Sequence, residues 1–248
     1  MRKTACILVG IALVNAVACK GKDEGYQTGK VEVEKTQITG VEIDWEIGEI
    51  DVEQSPNDTI YANEENAENI RYQFDDGVLK ITRSVTAKKR NAQTAALRVE
   101  IPQGLPLEID GKNAEITLGV LSVKELSVET EKGNICAEKI TCQKAEFDTE
   151  SGGIYIGAIE GKEVEVESER GEIKIGVSNP TKLEISAKDN DIYLFLLSDL
   201  GARVRFQSTD GQLQSNRPFV KKDGYFDYEG KETCRIHAST NKGNLYIE

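Results

Sequence analysis

Histidine is nearly missing from this chain: there is one, His237, in 248 residues. A zinc site wants several nitrogen or sulfur ligands, and imidazole-assisted catalysis wants a partnered histidine. Neither has its raw material here. Cysteine is sparse as well. Three of the five cysteines lie beyond the amino-terminal region, Cys136, Cys142 and Cys234, and an odd set of three is no disulfide framework. Cys136 and Cys142 either pair in an oxidising compartment or pack as small residues. Positive charge is also in deficit, with 31 Lys and Arg against 43 Asp and Glu and a formal charge of -12. Gripping phosphates takes clustered Lys and Arg, so nucleic acid is excluded and cations or cationic partners are favoured. Finally, no apolar run approaches the ~20 residues that span a bilayer comfortably; the longest, Ala5 to Ala18, has fourteen.

That short run supplies an address. Arg2 and Lys3 precede it and "NAVAC" ends it, the layout of a secretory signal running into a lipidated cysteine. Residues 1–18 are therefore expected to be a bacterial lipoprotein signal and Cys19 the lipidation site, although Ala16 stands where leucine is commonest. The alternative is simple secretion with an incidental cysteine. The expected location is the cell envelope, held by a lipid anchor, at the outer membrane or cell surface if the cell is Gram-negative. Residues 19–40 read as a flexible tether and lead-in. Within them Lys22-Asp23-Glu24 looks like the tag that takes some Gram-negative lipoproteins to the surface, or like an ordinary charged linker.

The rest is a repeat. Aligned on apolar residues, units start at Leu107, Leu126, Ala145, Val164 and Leu183, each 19 residues after the last, and Val204 follows. Positions one and three are apolar, as in Val164 and Val166. The fifth is small, as in Thr130, Thr149 and Ser168. The eighth is glycine in Gly133, Gly152, Gly171 and Gly211, and apolar residues return at ten and twelve. Alternation with period two means half-buried strands, and glycine suits the positive-φ corner between them. A fixed period near 20 residues is the mark of a solenoid, whose units bury their apolar faces only by stacking. The expectation is all-β: a single β-solenoid of 19-residue coils, irregular over residues 41–106, regular over 107–215 and closed by 216–248. An identical register over five units argues against a Greek-key sandwich. Ser84 to Ala95 reads as a solvated basic loop, and "RPFVKKDGYFDYEG" as a strand-turn-strand excursion that closes the last coil.

These motifs carry a resemblance. The "LRVEIP" strand (Leu97 to Pro102), the serial "-h-x-h-x-S-x-x-G-x-I-x-I-" units and the closing "HASTNKGNLYIE" are similar to the bacterial β-strand-repeat family called "putative adhesins", a domain of unknown function of envelope proteins. The resemblance covers roughly Val41 to Glu248. It implies a solenoid outside the cytoplasm with no established catalytic residues.

Outward positions are best read down the stack. Glu108, Asp110, Glu129, Glu146, Asp148, Glu165, Glu167 and Glu184 fall into two neighbouring columns. Like charges side by side are destabilising. Flanking lysines (Lys124, Lys144, Lys162, Lys182) are one offset; bound Ca²⁺ is another, since carboxylate oxygens suit it. The columns therefore read as a face for divalent cations or a cationic peptide, or as a lysine-balanced solvated surface. A second row holds Thr117, Cys136, Tyr155, Lys174 and Tyr193, with Tyr246 in the closing unit. Its tyrosines are candidate glycan contacts, or simply good strand formers. No cofactor is called for. Without a nucleophile motif or a cleft-walling loop, a non-catalytic adhesion, binding or scaffolding role through a protein, peptide or glycan ligand is expected. The rivals are a polysaccharide-active β-helix enzyme and a self-assembling solenoid.

Overall fold

The computed structural model describes residues 26–64, 70–83, 96–179, 182–196, 200–230 and 232–248. Nearly everything in them is β-strand; the one helical element is a single 3-10 turn, Lys35–Gln37. The signal segment, Cys19, Lys22-Asp23-Glu24 and the loop at Ser84 to Ala95 lie outside these residues.

Period two and period nineteen act together. Glu125–Lys132 and Ile135–Thr141 form one coil, and Lys144–Ser151 with Ile154–Glu160 forms the next, pairing parallel with no slip. Leu107–Ser122 below and Glu163–Ser168 above continue the register. Each strand therefore places its first and third residues over those of its neighbours. One such ladder runs Ile43, Ile109, Val128, Phe147, Val166, Ile185, and all six side chains are buried. In the Phe147 coil the neighbouring inward residue shrinks to Ala145, where adjacent coils have Leu126 and Val164. Small beside large keeps the layer volume constant, which close packing demands.

The stack has nine layers, and its order differs from the sequence at both ends. Gly40–Gln54 lies between Leu107–Ser122 on one side and Val78–Arg83 with Ala96–Ile101 on the other. The later segment is thus the outermost layer. At the opposite end Glu232–Thr240 and Leu245–Ile247 sit between the Lys182–Leu196 coil and the Leu200–Ser215 coil. Val204 was expected to stack on Leu183, but both pair with Ile236. The closing segment is not terminal; it is wedged second from the end.

Antiparallel strands cover both ends, so fewer edges stay open to chance pairing. Val31–Glu34 pairs with Thr59–Asn63, which lies on Ala96–Ile101. Ile70–Asp75 lies on Val78–Arg83. Part of the 41–106 stretch expected to coil is therefore a hairpin: Asp76 (φ 47) and Gly77 (φ 85) make its two-residue turn, the pairing such left-handed turns require. Phe74 lies on the hairpin and is exposed.

The corners also differ from expectation. Of the four eighth-position glycines, only Gly133 has a left-handed φ, +145. At Gly152 and Gly171 the constraint is approach: a Cβ on either would collide with the carbonyl of the layer beneath. The small fifth residue is a hydrogen-bond donor, not filler. Thr130 Oγ1 donates to Ala114 O (3.2 Å), Thr149 Oγ1 to Gly133 O (3.3 Å) and Ser168 Oγ to Gly152 O (3.1 Å). Each buried corner carbonyl thus finds a partner in the next layer.

Candidate functional site

The first half-coils form one face, and its columns stand as the period implies. Glu42, Glu108, Ser127, Glu146, Glu165 and Glu184 stack in one, and Asp44, Asp110, Glu129, Asp148 and Glu167 in the next. Lysine offsets part of the repulsion: Lys144 Nζ is 3.6 Å from Glu146 and Lys182 Nζ 3.0 Å from Glu184. Asp148 shows the remainder. Desolvation first, then Glu167, Glu129, Glu146 and Glu150, push its carboxyl up to about 6. Asp44 is moved the same way by the same causes, with Asp110 the leading neighbour. Among the described residues no three His, Cys, Asp or Glu side chains gather where they could hold a metal ion. The columns spread charge along a face. The acidic column then ends, because the wedged layer sets His237 beside Glu184 and Arg205 beside His237.

The second half-coils form the other face. There Thr117, Cys136, Tyr155, Lys174, Tyr193 and Tyr246 occupy one column in that order. The rings of Tyr193 and Tyr246 stack with centroids 4.8 Å apart at 9°. Lys174 Nζ lies 5.3 Å from the Tyr193 centroid and 5.9 Å from that of Tyr155. The column is a continuous ridge in which Tyr193 has Tyr246 on one side and Lys174 on the other. A sugar cannot lie flat on Tyr193; the ridge offers ring edges and hydroxyls. Tyr193 Oη donates to Asp191 Oδ2 at 3.5 Å.

Beside the ridge lies what period reading missed. Position thirteen of successive units is Gly119, Glu138, Gly157, Gly176 and Phe195, and the missing side chains leave an open trough across the strands. The groove is about 770 Å³, lined by Glu53, Cys136, Glu138, Tyr155, Lys174 and Phe195 around the glycine floor. That is the size of a small-ligand site. Gly157 and Gly176 are locked in place by backbone of the neighbouring layer, whereas at Gly119 only the Glu53 carboxylate occupies the space. The thirteenth position, read down the units, was the available signal.

The groove's reactive groups are set against nucleophilic chemistry. A carboxylate bond to Glu172 (2.6 Å) raises Lys174 and keeps it protonated. Burial, then Glu115, raises the Cys136 thiol. Cys136, Cys142 and Cys234 are all free thiols, and burial pushes the last two up to about 11 and about 12. None of the described helices is long and apolar enough to cross a membrane.

Comparison with known proteins places the whole β region in one group. The model of a family described as Toastrack DUF4097 matches residues 31–248. Among solved structures, a putative adhesin from Bacteroides fragilis is 14% identical, with 91% of this chain and 98% of that one covered and a TM-score of 0.49. A putative cell adhesion protein from Clostridium sporogenes is 12% identical, covering 89% and 99%, with a TM-score of 0.38. A putative lipid binding protein from Parabacteroides distasonis is 11% identical, covering 90% and 97%, with a TM-score of 0.34. No curated protein matches.

Proposed function

The chain belongs to the Toastrack DUF4097 family, and we propose that it is a non-catalytic envelope lipoprotein, anchored through Cys19, whose solenoid binds a glycan strand along the trough. The observation that carries this reading is the pairing of a glycine-floored groove with the Tyr155–Lys174–Tyr193–Tyr246 ridge. Successive layers are ~4.8 Å apart, close to the repeat of a pyranose chain, so an extended glycan along the stack presents one ring per layer. Glu53 and Glu138 accept hydroxyl hydrogen bonds, Tyr155 and Phe195 flank the rings, and the bare floor lets C–H-rich sugar faces approach the backbone. With two carboxylates, and with Lys174 already engaged by Glu172, the groove favours neutral or amino sugars over acidic ones.

The test is a glycan array followed by calorimetric titration. A neutral or amino-sugar glycan is expected to bind, and Gly119→Leu, which fills the floor at the tolerant position, to weaken it at least tenfold. No binding, or equal binding by the variant, overturns the assignment. A soluble polysaccharide shortened by the protein would overturn the non-catalytic part. For the anchor, metabolic labelling with a fatty-acid analogue is expected to mark the parent and not Cys19→Ala. Labelling of both would sink that part alone.

A further inference from the structure

The end of the stack formed by the ninth layer differs from every other surface of the molecule. Its outer edge is covered by a hairpin of Val220–Lys222 and Tyr225–Tyr228, turning on Asp223 (φ 50) and Gly224 (φ 81) and docked antiparallel on Ala202–Val204. All three residues of its outer strand are exposed. Val220, at 66%, is the most exposed large apolar side chain among the described residues.

Around it cations sit on aromatic rings. Arg203 Cζ lies 4.5 Å from the Tyr225 centroid, Arg217 Cζ 5.2 Å from that of Tyr228 and Lys221 Nζ 5.5 Å from that of Phe226. Phe219 packs on Tyr228 at 5.6 Å. Asp227 is 3.6 Å from Arg203 and so is offset; Asp223 at the turn and Glu229 past the inner strand are exposed acids, and the outer strand with its flank, Arg217 to Asp223, keeps three bases to one acid. The two outermost layers set His237 and Arg205 where earlier layers have acids, and Arg235 beside Lys182. At the other end the covering strand is Val-Glu-Val-Glu, Val31–Glu34. The solenoid is thus acidic over most of its length, with one basic, aromatic tip.

Lysines on an edge strand have a plainer use, which is to discourage pairing with another chain. That use asks for charge and nothing else. It does not call for an exposed valine between Phe219 and Lys221, or for rings under the cations. Bases, tyrosine and phenylalanine edges and a protruding aliphatic residue together suit a bilayer interface, where aromatic rings settle at headgroup level and Lys and Arg meet phosphates.

We infer that this tip docks on an anionic lipid bilayer, with Val220 and Phe219 entering the headgroup boundary and Lys221, Lys222 and Arg217 contacting phosphates. Eight spacings of ~4.8 Å put the ninth layer about 40 Å from the first, and the hairpin and the Gln27–Thr28 strand lie beyond those two layers. A protein held at that amino-terminal end would then bridge two membranes. The inference goes beyond the glycan reading and does not need it.

The test is sedimentation of the full chain carrying Cys19→Ala with phosphatidylcholine vesicles, with and without phosphatidylglycerol. The parent and all variants share the same amino-terminal segment, so any lipid affinity of that segment cancels in the comparison. Binding is expected to require phosphatidylglycerol and to weaken with NaCl. Lys221→Glu/Lys222→Glu is expected to reduce it at least tenfold, since each base near an anionic surface is worth about fivefold. Val220→Ser is expected to weaken it at equal charge. All three positions are exposed, so unchanged melting temperatures check the fold. Binding indifferent to phosphatidylglycerol, or equal binding by the variants, overturns the proposal. Capture by soluble polygalacturonate but not by vesicles also overturns it, by making the partner an anionic polymer. Gly119→Leu is expected to leave vesicle binding intact, which separates the two sites.

Discussion

Tyr246 stacks on Tyr193 because the last strand of the chain is inserted beside the Ile192–Leu196 strand and not added beyond it. Leu213–Ser215, earlier in sequence, is pushed one layer out. The contact is therefore a direct report of the wedge. Tyr193→Ala and Tyr246→Ala are expected to be non-additive, with a coupling of about 0.5–1.5 kcal/mol in a double-mutant cycle by denaturant unfolding. Additive effects would mean that the two rings do not meet in solution.

The central register was legible because it is local. Five units repeating at nineteen residues leave one alignment that buries every apolar pair, so Glu146, Glu165 and Glu184 had to fall in line. The ends were not legible, because nothing in the Val204 unit says that Ile236 will come between it and Leu183. That choice is made by long-range pairing. Ser178 shows a smaller case: it falls fifteenth in its unit, where Leu121, Ile140 and Ile159 make a further apolar row, but a bulge sets Val177 opposite Ile159 and the row continues inward. The trough was missed because the units were aligned on their apolar residues, and the recurring glycine of the thirteenth position is not one of them. The tyrosine row was half visible. Lys174 beside Tyr193 follows from spacing, whereas the Tyr246 ring on the other face follows from the wedge.

Glycine at the corner is required for reasons that differ by position, and substitution separates them. Gly171→Ala drives a methyl into the Gly152 carbonyl, so layers must part; a loss at the top of the ~1–3 kcal/mol overpacking range, or beyond it, is expected. Gly104 has φ +81 and nothing near its missing Cβ, so Gly104→Ala is expected to cost only about 1–2 kcal/mol of backbone strain. Thermal or denaturant unfolding of both variants checks the order, and similar losses would sink the close-approach argument.

Arg83 holds the other end together. Its side chain is nearly buried, 3.5 Å from the fully buried Glu64 carboxylate, 5.3 Å from the Trp45 ring centroid and hydrogen-bonded to Ile47 O at 2.7 Å. Arg83→Met takes one cation from a fully buried carboxylate, a change expected to cost up to about 3–5 kcal/mol. Adding Glu64→Gln is expected to recover part of that loss. If the double variant is instead as unstable as the sum of the singles, the pair is not the clasp.

Asp148 makes stability depend on pH in an unusual direction. Its carboxyl, ordinarily near 3.8, is raised to about 6 in the folded protein by desolvation and four neighbouring acids. In the unfolded chain it releases its proton near ~3.9. Between these values the native state holds a proton that the unfolded state has lost, so stability falls as pH rises. The favourable contribution is complete below ~4 and gone above about 6, the reverse of a salt-bridged carboxylate. Asp148→Asn removes the charge without changing the shape. Its melting temperature is therefore expected to match the parent near pH 4 and to exceed it near pH 7, with NaCl narrowing the gap as it screens Glu129, Glu146 and Glu167. Parallel melting curves for parent and variant across that range would show that the stacked acids do not repel, and the columns would then be no more than a solvated surface.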